Sequence, residues 1–151
     1  MSTLKPGDPA PAITAVDQDG NAFSLDALKG GKVVLYFYPK DDTPGCTKEA
    51  CSFRDHHERL RAEGYAIVGV SPDSPAKHRK FIDKYGLPFT LLADEDLTVT
   101  KAYGAWGRKK FMGKEYDGVL RSTFLIDADG RIERVIEKVK TAQAAEQVLG
   151  A

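Results

Sequence analysis

The chain has 151 residues, 42% apolar and 29% charged, and its 22 basic and 22 acidic side chains leave no net charge. This is the size and composition of one soluble globular domain, residues 1–151, able to build a core without disulfides, and the charge balance argues against nucleic acid or a membrane surface as a main partner. No signal-type segment or run of ~20 apolar residues occurs, so a cytoplasmic protein is expected, in a compartment where two close cysteines are more often redox-active than structural.

In chain order, VDQDGNAF (16–23) carries an Asp-Gly turn between short extended pieces and reads as a hairpin. SLDALKGG (24–31) reads as a short helix ended by glycines. KVVLYFYP (32–39) is too continuously apolar for a half-exposed strand and reads as a buried central one. After the loop KDDTPG, a helix is expected to run to about Glu63, with Ala50, Phe53, His57 and Leu60 on one face and Gly64 as its stop. YAIVGVSP (65–72) is a second buried strand. Ser74-Pro75 open a helix carrying Phe81, Ile82 and Tyr85, and Gly86 ends it. LPFTLLAD (87–94) is extended, 94–104 a short helix, and 105–117 irregular and basic. VLRSTFLID and RIERVIEKV flank a DADG turn as a hairpin, and 141–149 form a final helix. Alternating strands and helices imply an α/β or α+β sandwich: a parallel core covered by helices, with an antiparallel edge.

The only two cysteines lie in PKDDTPGCTKEAC (39–51). Thr43 suits an N-cap and Pro44 the first helical position, which puts Cys46 in the first turn. Unpaired backbone N–H groups and the positive end of the helix dipole favour a thiolate there. Gly45 beside it leaves room for a small substrate. Cys51 is five residues on, a rise of about 7.5 Å and a rotation of about 140° on an ideal helix. The two Cα atoms would then stand roughly 8.7 Å apart, beyond the reach of a disulfide. Either the two never bond, or the first turns unwind when they do. Arg121 lies in an apolar run, on one face with Thr123 and Leu125, and needs an anionic partner. The thiolate and Glu49, one turn beyond Cys46, are both candidates. Adjacent His56 and His57 diverge by about 100° on a helix and do not converge on a metal with Cys46.

These residues resemble the peroxiredoxins, specifically the Q or bacterioferritin comigratory protein group. The Pro-x-x-x-Thr-x-x-Cys signature is matched by Pro39, Thr43 and Cys46, the group's second cysteine by Cys51, and its active-site arginine by Arg121 in LRSTFLID. YGAWGRKKFMGKEYDG (103–118), with Trp106, is also similar, and the likeness runs from LKPGDPAPAI to the last helix. The resemblance implies a thioredoxin-like α/β fold: a mixed central sheet flanked by helices, with an N-terminal β-hairpin. It implies a cycle without cofactor or metal, in which Cys46 attacks a hydroperoxide and becomes a sulfenic acid. Cys51 then condenses with it to a Cys46–Cys51 disulfide, which thioredoxin or a similar dithiol protein reduces. Thr43 would hydrogen-bond peroxide and thiolate, Arg121 hold charge, Pro39 shield the pocket and Glu49 orient Arg121. The group's habit, and the lack of a long apolar edge, imply a monomer. A general disulfide oxidoreductase is the alternative enzyme, although no CxxC exists; a redox-sensing module is the non-enzymatic one. The basic run RKKFMGK (108–114) reads as a solvated loop or a docking element for the reductant, and Trp106 as packing.

Overall fold

The computed structural model describes residues 3–150; Met1, Ser2 and Ala151, counted above as part of the domain, lie outside the described residues. Strands β1 (Ala15–Val16) and β2 (Ala22–Phe23) form the expected N-terminal hairpin. Its turn is closed by Asp17, whose Oδ1 accepts from the backbone of Asp19 and Asn21. A 3-10 turn at Leu25–Leu28 leads to β3 (Lys32–Phe37). There follow α1 (Pro44–Asp55), α2 (His57–Ala62), β4 (Tyr65–Ser71), α3 (Pro75–Tyr85), β5 (Thr90–Ala93) and α4 (Thr98–Ala102). The chain ends with β6 (Trp106–Phe111), β7 (Lys114–Val119), β8 (Ser122–Ile126), β9 (Ile132–Ile136), a 3-10 turn at Thr141–Gln143, and α5 (Ala144–Leu149). No helix among the described residues is long and apolar enough to cross a membrane.

Seven strands make one sheet in the order β2-β1-β5-β4-β3-β8-β9. β3, β4 and β5 run parallel; β8 and β9 continue the sheet antiparallel. β3 is buried on both faces, as its continuous apolar run requires. Its period of two sends Val34, Tyr36 and Tyr38 into one core with Phe53, Leu60, Phe81 and Leu125. Val33, Leu35 and Phe37 enter the other, with Val70, Leu92, Tyr103 and Phe124. Each large side chain fully buried in this way contributes about 1.5–3 kcal/mol. α1 lies on the first core, and its far half is fastened. Ser52 Oγ accepts from Ala145 N of α5 at 3.0 Å, and Arg54 Nη1 donates to the Tyr85 carbonyl at 2.8 Å.

Three elements differ from the sequence reading. The helix expected to reach Glu63 is two helices broken at His56 (φ −108°, ψ 13°). There the imidazole Nδ1 joins the His56 backbone N–H on the carbonyl of Ser52. The segment 105–117, read as irregular, and with it the supposed loop 108–114, is an antiparallel hairpin of β6 and β7 forming its own two-stranded sheet. It lacks apolar alternation because cross-strand charges replace it: Arg108 lies 3.8 Å from Glu115 and 3.4 Å from Asp117. Its turn, Met112-Gly113, has both residues at positive φ (52° and 81°), a conformation usually signalled by Asn-Gly. Finally, VLRSTFLID is not one strand. Val119 ends β7, β8 starts at Ser122, and Arg121 sits just ahead of it.

Gly69 of β4 shows how tightly the first core is fitted. A Cβ there would lie 2.7 Å from Leu91 Cδ2 and 2.9 Å from Tyr36 Cζ. Gly69→Ala is expected to cost about 1–3 kcal/mol by forcing both side chains off their positions; an unchanged urea midpoint would show that the ring moves freely.

Candidate active site

The loop leaving β3 is held from several sides. The Tyr38 hydroxyl donates to Asp41 Oδ1 at 2.5 Å, and His78 Nδ1 lies 2.6 Å from Asp41 Oδ2. Asp73 Oδ2 accepts from Asp41 N at 2.8 Å and from Ser71 Oγ at 2.7 Å, while His78 Nε2 donates to the Leu92 carbonyl. Asp42, at φ 57°, is fixed by Lys84 Nζ and the Tyr85 hydroxyl, each at 2.8 Å. This buried network escaped the sequence reading, though one signal was present. His78 lies three and four residues before Phe81 and Ile82, on their apolar stripe. The ligand-type atoms of Asp41, Asp73 and His78 lie within 4.8 Å of one another, but the protein's own hydrogen bonds occupy them rather than leaving a metal cradle.

This loop delivers the chain into α1. Pro39 sits half-buried in the bend after β3. Thr43 occupies the N-cap position with extended backbone (φ −100°, ψ 157°), but its side chain does not cap. Its hydroxyl instead donates to the Lys40 carbonyl at 2.9 Å, so in this conformation the oxygen offers lone pairs and no proton. Pro44 and Gly45 follow, and Cys46 lies in the first turn, 1% exposed.

Arg121 resolves the question of its anionic partner by taking both. Its Nη2 donates to Cys46 Sγ at 3.2 Å and its Nη1 to Glu49 Oε1 at 2.6 Å. Glu49 is fully buried and its Oε2 has no hydrogen-bond partner among the described residues. Burial pushes its carboxyl up to about 7, with Arg121 acting in the opposite direction. Burial alone would lower the Arg121 pKa, but Glu49 and Cys46 outweigh it and the guanidinium is held firmly charged. A Cβ on Gly45 would stand 3.5 Å from Arg121 Nη2, an ordinary contact, so the seating of the guanidinium does not require a glycine there. Lys109, on β6, faces the same group of charges: burial and Arg121 lower its pKa while Cys46 raises it. This neighbour was missed because the hairpin was read as a loop.

Cys51 is half-buried, and α1 runs unbroken past both cysteines, which are free thiols. The fold therefore brings together Cys46, Glu49 and Arg121, with Thr43 at the mouth of the helix, and keeps Cys51 apart. His56 points to Glu146, 3.6 Å away. Trp106 packs against the second core, with Lys101 Nζ 5.9 Å from its ring centre.

A buried sulfur at a helix start, hydrogen-bonded by arginine, is a site built for an anionic nucleophile. Residues 6–135 match the AhpC/TSA family. The chain is 48% identical to peroxiredoxin Bcp of Escherichia coli K12 over 149 residues, 99% of this chain and 96% of that one. It is 47% identical to peroxiredoxin Bcp of Bacillus subtilis over 147 residues, 97% and 94% of the two chains. Among solved structures, the Xanthomonas campestris bacterioferritin comigratory protein, studied for alkyl peroxide reduction, superposes with a TM-score of 0.87 at 34% identity, covering 99% and 96%. A cysteine-to-serine mutant of Xylella fastidiosa peroxiredoxin Q does so with a TM-score of 0.91 at 31% identity, again over 99% and 96%. These matches bear out the thioredoxin-like fold with its mixed central sheet, and the chain belongs to the AhpC/TSA family, as a peroxiredoxin of the Bcp and Q group.

Proposed function

We propose that the protein is a thiol peroxidase in which Cys46 reduces hydrogen peroxide and organic hydroperoxides. The observation that carries this is the hydrogen bond from Arg121 Nη2 to Cys46 Sγ in the first turn of α1. The thiolate attacks one peroxide oxygen; sulfur is oxidised to the sulfenic acid, the O–O bond breaks, and the other oxygen leaves as water or alcohol once protonated. Arg121 stabilises charge as it moves from sulfur to the leaving oxygen. Thr43 is best placed to accept a hydrogen bond from the peroxide O–H, since its own proton is engaged by Lys40. In this role the hydroxyl orients the peroxide beside the sulfur. Pro39 lines the approach, and Glu49 fixes the guanidinium plane.

Cys51 is the resolving thiol in this reading. With α1 intact the two sulfurs sit on different faces, so condensation requires residues from about Pro44 to Cys51 to leave the helix. Water is released and a Cys46–Cys51 disulfide forms. A cytoplasmic dithiol protein such as thioredoxin then returns both to thiols by exchange.

Cys46→Ser should abolish peroxide consumption. Cys51→Ser should retain the first turnover, gain the mass of one oxygen and lose turnover with a thioredoxin system. A variant lacking Cys46 that still turned over peroxide would overturn the reading. Arg121→Gln should slow the reaction with peroxide by about 10²–10³-fold, the usual effect of removing a transition-state donor; a change under about threefold in stopped-flow rates would assign Arg121 a structural role only. Oxidation of the wild type should lower the far-ultraviolet helix signal and open residues 44–51 to amide exchange. An oxidised protein with those amides still protected would exclude the unwinding step.

A further inference from the structure

The buried site holds more potential negative charge than one arginine neutralises. Cys46 Sγ and Glu49 Oε1 are both bonded to Arg121, so two acids share one guanidinium. Glu49 is 0% exposed, and its second oxygen, Oε2, has no hydrogen-bond partner among the described residues. The Tyr36 hydroxyl of β3 is also buried with no hydrogen-bond partner among the described residues, and burial above all holds it neutral. The groups facing Glu49 are therefore Tyr36 from β3, Arg121 ahead of β8, and Cys46 on its own helix, with Lys109 of β6 facing Arg121 and Cys46. The 3-10 turn and α5 bring Thr141, Ala144 and Ala145 to α1, none of which titrates.

We propose that Glu49 is the proton reservoir of the reaction: its carboxyl is protonated while Cys46 is a thiolate, and gives up that proton when sulfur becomes a neutral sulfenic acid. The inference rests on the peroxidase reading above and adds a role for Glu49 beyond fixing Arg121. Two buried acids bonded to one guanidinium are under-compensated at contact distance, since Lys109 faces the sulfur but hydrogen-bonds neither acid among the described residues, and one proton therefore stays on the carboxyl. The free Oε2 is the atom that carries it, since Oε1 is committed to Arg121. The upward displacement of this carboxyl to about 7 agrees with that placement. When the sulfur anion is consumed, Arg121 pairs with Glu49 alone and the carboxylate becomes the favoured form.

The step balances. Thiolate, hydroperoxide R′OOH and neutral Glu49 give sulfenic acid, R′OH and the Glu49 carboxylate. The S–O bond forms and the O–O bond breaks. Sulfur loses two electrons to the peroxide; the leaving R′O⁻ takes a proton from water, and the proton that Glu49 releases to solvent replaces it, so none is drawn net. Without the reservoir the solution is left one proton short. Glu49 acts through Arg121 and does not touch the peroxide, so it is a positioning residue for charge.

The test uses the Cys51→Ser protein, which stops at the sulfenic acid with α1 in place, treated with one equivalent of hydrogen peroxide near pH 7 in weak buffer with a pH indicator. Gain of one oxygen on the peptide carrying Cys46 first establishes that Cys46 has reacted; its absence would sink the peroxidase reading and not this one alone. Given that gain, close to zero protons should be drawn from solution per sulfur oxidised, against one for the Cys51→Ser/Glu49→Gln protein, whose amide oxygen still accepts from Arg121. The infrared difference spectrum of Cys51→Ser should show loss of a protonated-carboxyl C=O band on oxidation. Cys46→Ser/Cys51→Ser, with no cysteine sulfur to oxidise, should show none. This second readout stands even where the glutamine variant fails to fold. Equal proton uptake with and without Glu49, or an unchanged carboxyl band in Cys51→Ser, would overturn the proposal.

Discussion

One guanidinium organises this site. Arg121 binds the sulfur of Cys46 through one nitrogen and the carboxyl group of Glu49 through another, at 3.2 and 2.6 Å. Both acids come from the same helix, one turn apart, while the arginine comes from the far end of the chain, just ahead of β8. Burial makes the arrangement consequential. In water such contacts are worth little, but in a low-dielectric interior a missing partner leaves a stranded charge. The site therefore depends on α1 and the β8 end of the sheet keeping their register, and much of the remaining structure serves that end.

The sheet supplies the first part of that register. β3 and β8 pair from Val33 with Ile126 to Phe37 with Ser122, which brings the end of β3 beside the start of β8. The loop leaving β3 then carries the chain to α1, and it is fastened by side chains from two other elements. Ser71 and Asp73 come from β4 and its end, His78, Lys84 and Tyr85 from α3. His78 also reaches the Leu92 carbonyl of β5. A loop able to wander would blur the approach of Cys46 to Arg121, and small errors of placement are costly in catalysis.

The chemistry-bearing residues were more legible than their surroundings. Two cysteines at a helix start, a glutamate one turn on and an arginine in an apolar run are local signals, and elementary helix geometry and burial costs converted them into a site. What escaped depended on partners distant in sequence. Thr43 has the residue type and backbone of a cap, yet its hydroxyl turns back to Lys40, a choice no pattern encodes. The β6–β7 hairpin is stabilised by cross-strand charge pairs and a Met-Gly turn, so it carries neither the alternation nor the turn signature of a strand pair. The Asp41–His78 pair joins residues 37 positions apart. Only the apolar company of His78 on α3 hinted that it was buried.

The fastening on either side of the reactive turns has a kinetic consequence. Upstream, Asp41 and Asp42 are bonded to α3 and the end of β4; downstream, Ser52 and Arg54 are bonded to α5 and the end of α3. A melted stretch between them is a short loop with both ends pinned, so melting has nowhere to spread. A loop of about ten residues closes in roughly 10–100 ns and helical turns regrow in nanoseconds per residue, whereas thiol–disulfide exchange takes far longer. In the proposed cycle, reduction of a Cys46–Cys51 disulfide would therefore rebuild the nucleophile almost at once, and the tempo of recovery would belong to the encounter with the reductant.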